Sequence, residues 1–161
     1  MNPPFDTRAG AKRDGDRAVI VHAEALAKGR ANGPKVVLSE PLSFWGGYDA
    51  ARGRIVESAH PANGRSLAGA IMVMPRAKGS SSSSSVLAEA IRNGTGPAGI
   101  VLRERDLIIA IGVIAAGELY GVSVPLVVVN DRDFDTVCRS GATIRIDAPH
   151  EHGPATVTLT M

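Results

Sequence analysis

The segment AIMVMPRAKGSSSSSSVLAEAIRNG, residues 70–94, decides the fold. It begins with a continuous apolar run that ends at a proline, a pattern typical of a strand buried on both faces. After the six serines, apolar residues recur on one helical face, at Val86, Leu87, Ala90 and Ile91. An Asn-Gly pair then gives a helix stop signal. The segment predicts a strand, a Gly-Ser loop and a helix that begins near Ser82.

The next segments extend this pattern to a parallel sheet. AGIVLRE (98–104) and VPLVVVN (124–130) are further buried strands, and DLIIAIGVIAAGELYG (106–121) between them predicts a helix with Asp106 as its N-cap and Gly121 past its end. Alternating strands and helices imply right-handed crossovers and a parallel core. The half-polar segments ATIRIDA and PATVTLTM are expected to be shorter antiparallel strands beside it. The fold class is therefore α/β.

The N-terminal half carries two more candidate strands, RAVIVHAEAL (17–26) and KVVLSE (35–40). AKGRANGP (27–34) between them contains two glycines and a proline and predicts a loop. Residues 1–16 are polar and are expected to be a mobile N-terminal segment. A chain of 161 residues fits one domain, which we assign to residues 17–161.

Composition excludes several classes of function. The 18 Lys and Arg against 16 Asp and Glu are spread along the chain without a basic block, which argues against binding to nucleic acid or a membrane surface. The longest apolar run, around residues 107–117, is too short to span a bilayer. The N-terminus lacks a signal-peptide pattern, so a cytoplasmic location is expected. Cys138 is the only cysteine, which excludes an intrachain disulfide or a multi-cysteine metal site.

The six serines leave two interpretations open. A Ser-rich run is usually a flexible spacer, because it buries nothing. This run, however, lies between a buried strand and a helix, where free backbone N–H groups and the helix dipole favour a carboxylate or phosphate. Lys78 adds a positive charge there. The spacing is not that of a Walker loop, which argues against a nucleotide phosphate.

Three other motifs need an assignment. LSFWGG (42–47) is either a turn with a core tryptophan or a loop whose Gly46-Gly47 pair allows close approach of a ligand or partner chain. The acidic residues of NDRDFD (130–135) lack the glycine and distal glutamate of a calcium loop, so a solvated loop is expected. The histidines show no metal-ligand spacing and are expected on the surface, at His22, His60, His150 and His152.

Three stretches together carry a family resemblance: EPLSFWGGYDAARGRI (40–55), HPANGRSLAGAIMVMPRAKGSSSSSSVLAEAIRNGTGPAGIVLRE (60–104) and AIGVIAAGELYGVSVPLVVV (110–129). In this order they resemble the swivel-domain small subunit of aconitase X, a branch of the aconitase superfamily. The resemblance implies a swivelling β/β/α domain. It also implies a hydro-lyase in which a large subunit holds an iron or iron–sulfur centre and this chain binds no cofactor itself. The swivel domain is then inactive alone.

The resemblance also implies roles for individual residues. Ser80, directly after Lys78-Gly79, matches the proposed catalytic base, and Ser81 and Ser82 would bind the substrate carboxylate. The family has Ser-Gly where this chain has Arg76-Ala77. Because alanine enters positive φ less freely than glycine, this difference leaves the path of the loop open and makes Arg76 a candidate second anion contact. A loop near the cleft or the subunit interface is implied at Ser43, Phe44, Trp45, Gly46 and Gly47.

The resemblance leaves the substrate open between two acids. The bacterial branch implies dehydration of cis-3-hydroxy-L-proline to Δ1-pyrroline-2-carboxylate, which the Ala- and Arg-rich composition favours, and the archaeal branch implies dehydration of phosphomevalonate. A hypothesis of another class also remains. The same loop can belong to an anion-binding or interaction module without chemistry.

Overall fold

The computed structural model describes residues 17–161, which form one closed seven-stranded barrel with helices packed against it. The barrel strands are β1 (Val19–Ala27), β2 (Gly29–Val37), β5 (Ile71–Met74), β6 (Gly99–Leu102), β7 (Leu126–Val128), β8 (Thr143–Ala148) and β9 (Gly153–Thr160). A small hairpin joins β3 (Tyr48–Asp49) to β4 (Arg54–Ile55). The helices are α1 (Phe44–Gly47), α2 (Ser83–Arg92), α3 (Leu107–Tyr120) and α4 (Asp131–Arg139). The predicted mobile segment, residues 1–16, lies outside the described residues.

The strand order around the barrel is β1-β7-β6-β5-β2-β8-β9. Strands β2, β5, β6 and β7 are parallel to their neighbours in this run, and α2 and α3 cross between consecutive strands of it. This confirms a mixed α/β fold with a parallel core. The antiparallel strands do more than lie beside that core, because β9 pairs with both β8 and β1 and so closes the sheet. They are also longer, not shorter, than β5, β6 and β7.

Side chains alternate between two cores along each parallel strand, as the period of a strand requires. Ile71 and Val73 of β5 point into the barrel, where they join Phe134 of α4. Met72 and Met74 point outward and pack under α2 and α3. All four strand residues are fully buried. The strand therefore reads as a continuous apolar run because both of its faces are covered.

The predicted loop at residues 27–34 is wrong. Ala27 ends β1, and Gly29 to Pro34 begin β2 and pair with β8 in antiparallel register. A Cβ atom at Gly33 would lie 2.5 Å from the carbonyl oxygen of Gly69, so this glycine permits a close approach of two backbones and does not mark a turn. The same strand ends at Val37, three residues before the predicted end at Glu40.

The predicted solvated loop at residues 130–135 is also wrong, since it begins α4. The Asn130 side chain accepts a hydrogen bond from the Asp133 N–H at 2.8 Å and caps the helix. Asp131 and Asp133 lie in the first turn, where the helix dipole favours negative charge. Acidic residues after an asparagine therefore marked a helix start here.

His60 is the histidine that the sequence misplaced, because it is buried. Its Nδ1 accepts from the Ala62 N–H at 3.0 Å, so its Nε2 carries the proton and donates to the Glu40 carbonyl, also at 3.0 Å. The ring thus provides hydrogen-bond partners for the backbone of Glu40 and Ala62, which no local pattern in the sequence indicates. The other three histidines are exposed, as predicted. None of the helices within residues 17–161 has the length and apolarity needed to cross a bilayer.

Candidate active site

The serine loop, residues 75–82, connects the carboxyl end of β5 to the start of α2. In an open or closed α/β sheet this end of a parallel strand is the usual place for a ligand. The loop is anchored at its first half, where Ala77 forms a parallel bridge with Leu42 and the Lys78 N–H donates to the Leu42 carbonyl at 3.3 Å. Its second half, from Gly79 to Ser82, is exposed.

Gly79 brings the serine loop against Ser43. Its φ is +88°, and a Cβ atom at this position would lie 2.3 Å from the Ser43 Oγ. No non-glycine residue in the described part of the chain has a positive φ, so Ala77 adopts an ordinary conformation. The Ala77 N–H donates to Asp106 Oδ2 at 2.9 Å. The Arg76-Ala77 difference therefore does not require a glycine-like backbone at residue 77.

The hydrogen bonds of the serines leave a short row of donors open. The Ser82 N–H donates to Ser80 Oγ at 3.1 Å, and the N–H groups of Ser83, Ser84 and Ser85 donate to the carbonyls of Ser80, Ser81 and Ser82. Among residues 17–161, the N–H groups of Gly79, Ser80 and Ser81 have no partner within the protein. All three residues are exposed, so these donors can bind an anion from solvent.

The later serines differ from one another. Ser83 is fully buried. Its Oγ accepts from the Trp45 N–H at 2.9 Å. Ser84 Oγ donates to the Ile108 carbonyl at 2.7 Å, whereas Ser85 is exposed. The start of α2 is thus tied to the tryptophan turn on one side and to α3 on the other.

The tryptophan turn, residues 42–47, contains the four-residue element α1, in which Trp45 and Gly46 have non-helical backbone angles. Phe44 is buried edge-to-face against Tyr48, with ring centroids 5.5 Å apart. Trp45 is 59% exposed, so the interpretation as a core tryptophan is wrong. Gly46 has a φ of +74°, and Ser43 Oγ donates to the Trp45 carbonyl at 2.9 Å. The turn presents an aromatic surface beside the serine loop.

Both cationic side chains of the serine loop have acidic neighbours. Lys78 Nζ lies 2.7 Å from Glu57 Oε1, and Arg76 lies 4.0 Å from Glu104. Arg76 and Glu104 are both half-exposed, so this pair contributes little. Glu57 was not identified from the sequence, because a single acid 21 residues before its partner carries no local signal.

Residues 20–153 match the aconitase X swivel domain family. The chain belongs to this family. Over 118 residues it is 41% identical to the cis-3-hydroxy-L-proline dehydratase of Pseudomonas aeruginosa, covering 73% of this chain and 20% of that relative. Over 128 residues it is 34% identical to the phosphomevalonate dehydratase small subunit of Methanothermobacter thermautotrophicus, covering 80% of this chain and 93% of that relative.

The crystal structure of Thermococcus kodakaraensis aconitase X in its holo form has a similar fold. Its TM-score is 0.68 at 29% sequence identity, and the alignment covers 85% of this chain and 98% of that chain. The chain spans about a fifth of the length of the cis-3-hydroxy-L-proline dehydratases it matches.

The described residues of this swivel domain do not fit an iron or iron–sulfur centre. Across residues 17–161, no group of three or more His, Cys, Asp or Glu side chains could hold a metal ion. The single thiol, Cys138, lies on α4, and burial raises its pKa, which favours the neutral thiol over the thiolate that binds metals.

Proposed function

We propose that this swivel domain supplies part of the active site of a dehydratase that removes water from a 3-hydroxy carboxylic acid. The observation that carries the proposal is the exposed row of N–H groups at Gly79, Ser80 and Ser81 with the Ser80 hydroxyl beside it. The names of the relatives support the reaction class, because they are dehydratases whose substrates both carry a carboxylate and a hydroxyl on the β carbon.

The loop binds the substrate carboxylate in this proposal. Three backbone donors and the positive end of α2 stabilise an anion without the cost of moving a side chain. Ser81 contributes its N–H group directly. The Ser82 N–H is engaged by Ser80 Oγ, so Ser82 acts on the site through Ser80. Lys78 supplies a formal positive charge on the loop, and Trp45 presents an exposed aromatic surface beside it.

Ser80 acts as the base. Its Oγ accepts the Ser82 N–H at the start of a ten-residue helix, an arrangement that stabilises negative charge on the oxygen. The oxygen removes the proton on the carbon α to the carboxylate, and the β hydroxyl leaves to complete the loss of water. We assign the groups that assist the departure of the hydroxyl to the partner polypeptide.

The names of the relatives support the assembly and the substrate that we propose. We assign the remainder of the site to a large subunit or domain that carries an iron or iron–sulfur centre. We take cis-3-hydroxy-L-proline as the substrate, since the Pseudomonas aeruginosa relative is 41% identical. Phosphomevalonate is the second candidate, favoured by the near-complete coverage of the archaeal small subunit.

Purification from native cells tests the proposal. We expect the chain to co-purify with an iron-bearing polypeptide, and the complex to dehydrate one of the two acids when each is supplied separately. A lone monomer or homo-oligomer that binds small carboxylates, with no iron-bearing partner, would instead support an anion-binding module without chemistry.

A further inference from the structure

Glu57 joins the two loops of the candidate site. Its backbone N–H and that of Val56 both approach the Gly47 carbonyl, at 3.3 and 2.8 Å, which fixes Glu57 to the end of the tryptophan turn. Its side chain extends to the serine loop, where Oε1 accepts from Lys78 Nζ at 2.7 Å. One residue therefore connects the Gly47 backbone to the cation that precedes Gly79.

The second carboxylate oxygen of Glu57 points to a role beyond stability. Oε2 is buried and has no hydrogen-bond partner. Among the buried side-chain oxygen and nitrogen atoms of residues 17–161, it is the one that lacks a partner. It lies 3.5 Å from the position that a Cβ atom at Gly47 would occupy. A buried, unpaired carboxylate oxygen costs free energy. An apolar residue would avoid this cost, but it would leave Lys78 without its acceptor.

The Lys78 ammonium needs such an acceptor to have a defined position. Its side chain is 47% exposed and flexible, whereas that of Glu57 is 24% exposed and is held at its base by the Gly47 carbonyl. Because Gly79 contacts Ser43, the loop beyond Lys78 is already fixed at its backbone. The ion pair with Glu57 then holds the Lys78 ammonium at a defined position relative to the open N–H groups.

We infer that Glu57 is a positioning residue for anion binding at the serine loop and that it acts through Lys78. The inference rests on the proposed function for the identity of the anion, which is the substrate carboxylate. It does not depend on the role of Ser80 in proton removal.

The test is a double-mutant cycle on the complex of the full chain with its large subunit. Glu57→Gln keeps the shape of the side chain and removes its charge. Because the pair is partly exposed, we expect KM to rise about threefold to fivefold while kcat changes less than about twofold. We expect Lys78→Met to raise KM at least as much. The double variant should then be no worse than Lys78→Met alone.

A second readout needs no turnover. Inorganic phosphate titrated into the full chain should shift the amide signals of Gly79, Ser80 and Ser81 in ¹H–¹⁵N spectra, and Glu57→Gln should weaken that binding by a similar factor. Glu89→Gln is the matched control, because it removes an acid from the Arg92 pair at the far end of α2 and should leave phosphate binding unchanged.

The outcomes separate the two proposals. Three results would each overturn the positioning role. The effects of Glu57→Gln and Lys78→Met on KM could multiply in the double variant, or Glu57→Gln could leave KM unchanged. Phosphate binding, measured from the amide shifts, could also be the same in Glu57→Gln as in the wild type. Normal turnover in Ser80→Ala would overturn the catalytic assignment and leave the phosphate titration as the test of Glu57.

Discussion

At the scale of single residues, Gly79 shows how little space the site allows. Its positive φ and its contact with Ser43 both exclude a side chain, so the glycine is required twice over. The sequence indicated a turn glycine between Lys78 and Ser80. It could not indicate the contact with Ser43, because that depends on how two loops distant in sequence pack together.

We predict that Gly79→Ala destabilises the fold by more than backbone strain alone. Gly64→Ala is the control, since Gly64 also has a positive φ, of 85°, but a Cβ atom there would meet nothing within 4 Å. The control should lower the free energy of unfolding by about 1–2 kcal/mol, and Gly79→Ala should lower it further because Ser43 must move. Denaturant unfolding measures both, and equal losses would contradict the contact.

Tyr48 gives a pH-dependent prediction at the same scale. Burial raises its pKa, and its hydroxyl donates to the Thr95 carbonyl and accepts from the Leu67 N–H. The folded protein therefore keeps the phenol proton at a pH where the unfolded chain loses it. The stability that Tyr48 contributes is complete below its ordinary pKa of 10.0 and is lost as pH rises through the higher folded value.

Tyr48→Phe should accordingly be less stable at neutral pH, by about 1–2 kcal/mol for two lost hydrogen bonds. Above pH 10.0 its free energy of unfolding should fall less steeply than that of the wild type. Urea unfolding at a series of pH values tests this. A gap between the two proteins that stays constant from neutral to alkaline pH would show that the phenol does not titrate in this way.

At the scale of elements, Asp106 connects α3 to the candidate site. Its Oδ1 accepts from the Ile109 N–H at 3.1 Å and caps the helix, as the sequence predicted. Its Oδ2 accepts from the Ala77 N–H in the serine loop at 2.9 Å. One carboxylate thus begins a helix and orients the loop that precedes another.

We expect Asp106→Ala to reduce both stability and function. Asn130→Ala is the control, because Asn130 caps α4 without contacting the serine loop. Each change should cost about 1–2 kcal/mol for the lost cap, and Asp106→Ala should also weaken substrate binding through the freed Ala77 N–H. Thermal unfolding and KM in the complex report the two effects. Equal KM values in both variants would refute the link between Asp106 and the loop.

The same scale shows what the sequence could and could not predict. Elements with a local signal were correct: the apolar run of β5, the amphipathic α2 and the Asp106 and Gly121 caps of α3. Elements that depend on a distant partner were missed, as at residues 29–34, whose strand exists only because β8 pairs with it. α4 was missed because the acidic residues of its first helical turn were interpreted as a solvated loop.

At the scale of the whole molecule, closure of the barrel is the main feature that the sequence did not reveal. Closure depends on β1 pairing with β9, from Val19 opposite Leu159 to Ala25 opposite Gly153, and no local pattern encodes that register. The closed barrel supports the serine loop and the tryptophan turn at the carboxyl end of β5. The candidate site was predicted in part: the sequence identified both loops but not Glu57, which joins them.

In the proposed function, the domain supplies only one part of a reaction centre. The described residues hold open anion donors and a candidate base, but they do not fit an iron centre. Membership of the aconitase X swivel domain family and the small-subunit names among its relatives agree with a site completed by another polypeptide. The central claim is therefore best tested on the complex and not on the isolated chain.

The most direct measurement is turnover of cis-3-hydroxy-L-proline by that complex carrying Ser80→Ala, compared with Ser85→Ala. Ser85 belongs to the same run of serines and is exposed, but its hydroxyl makes no contact with the loop donors. We predict that Ser80→Ala lowers kcat by at least about a hundredfold while the complex still forms, and that Ser85→Ala retains wild-type turnover. Normal turnover in Ser80→Ala would contradict the account.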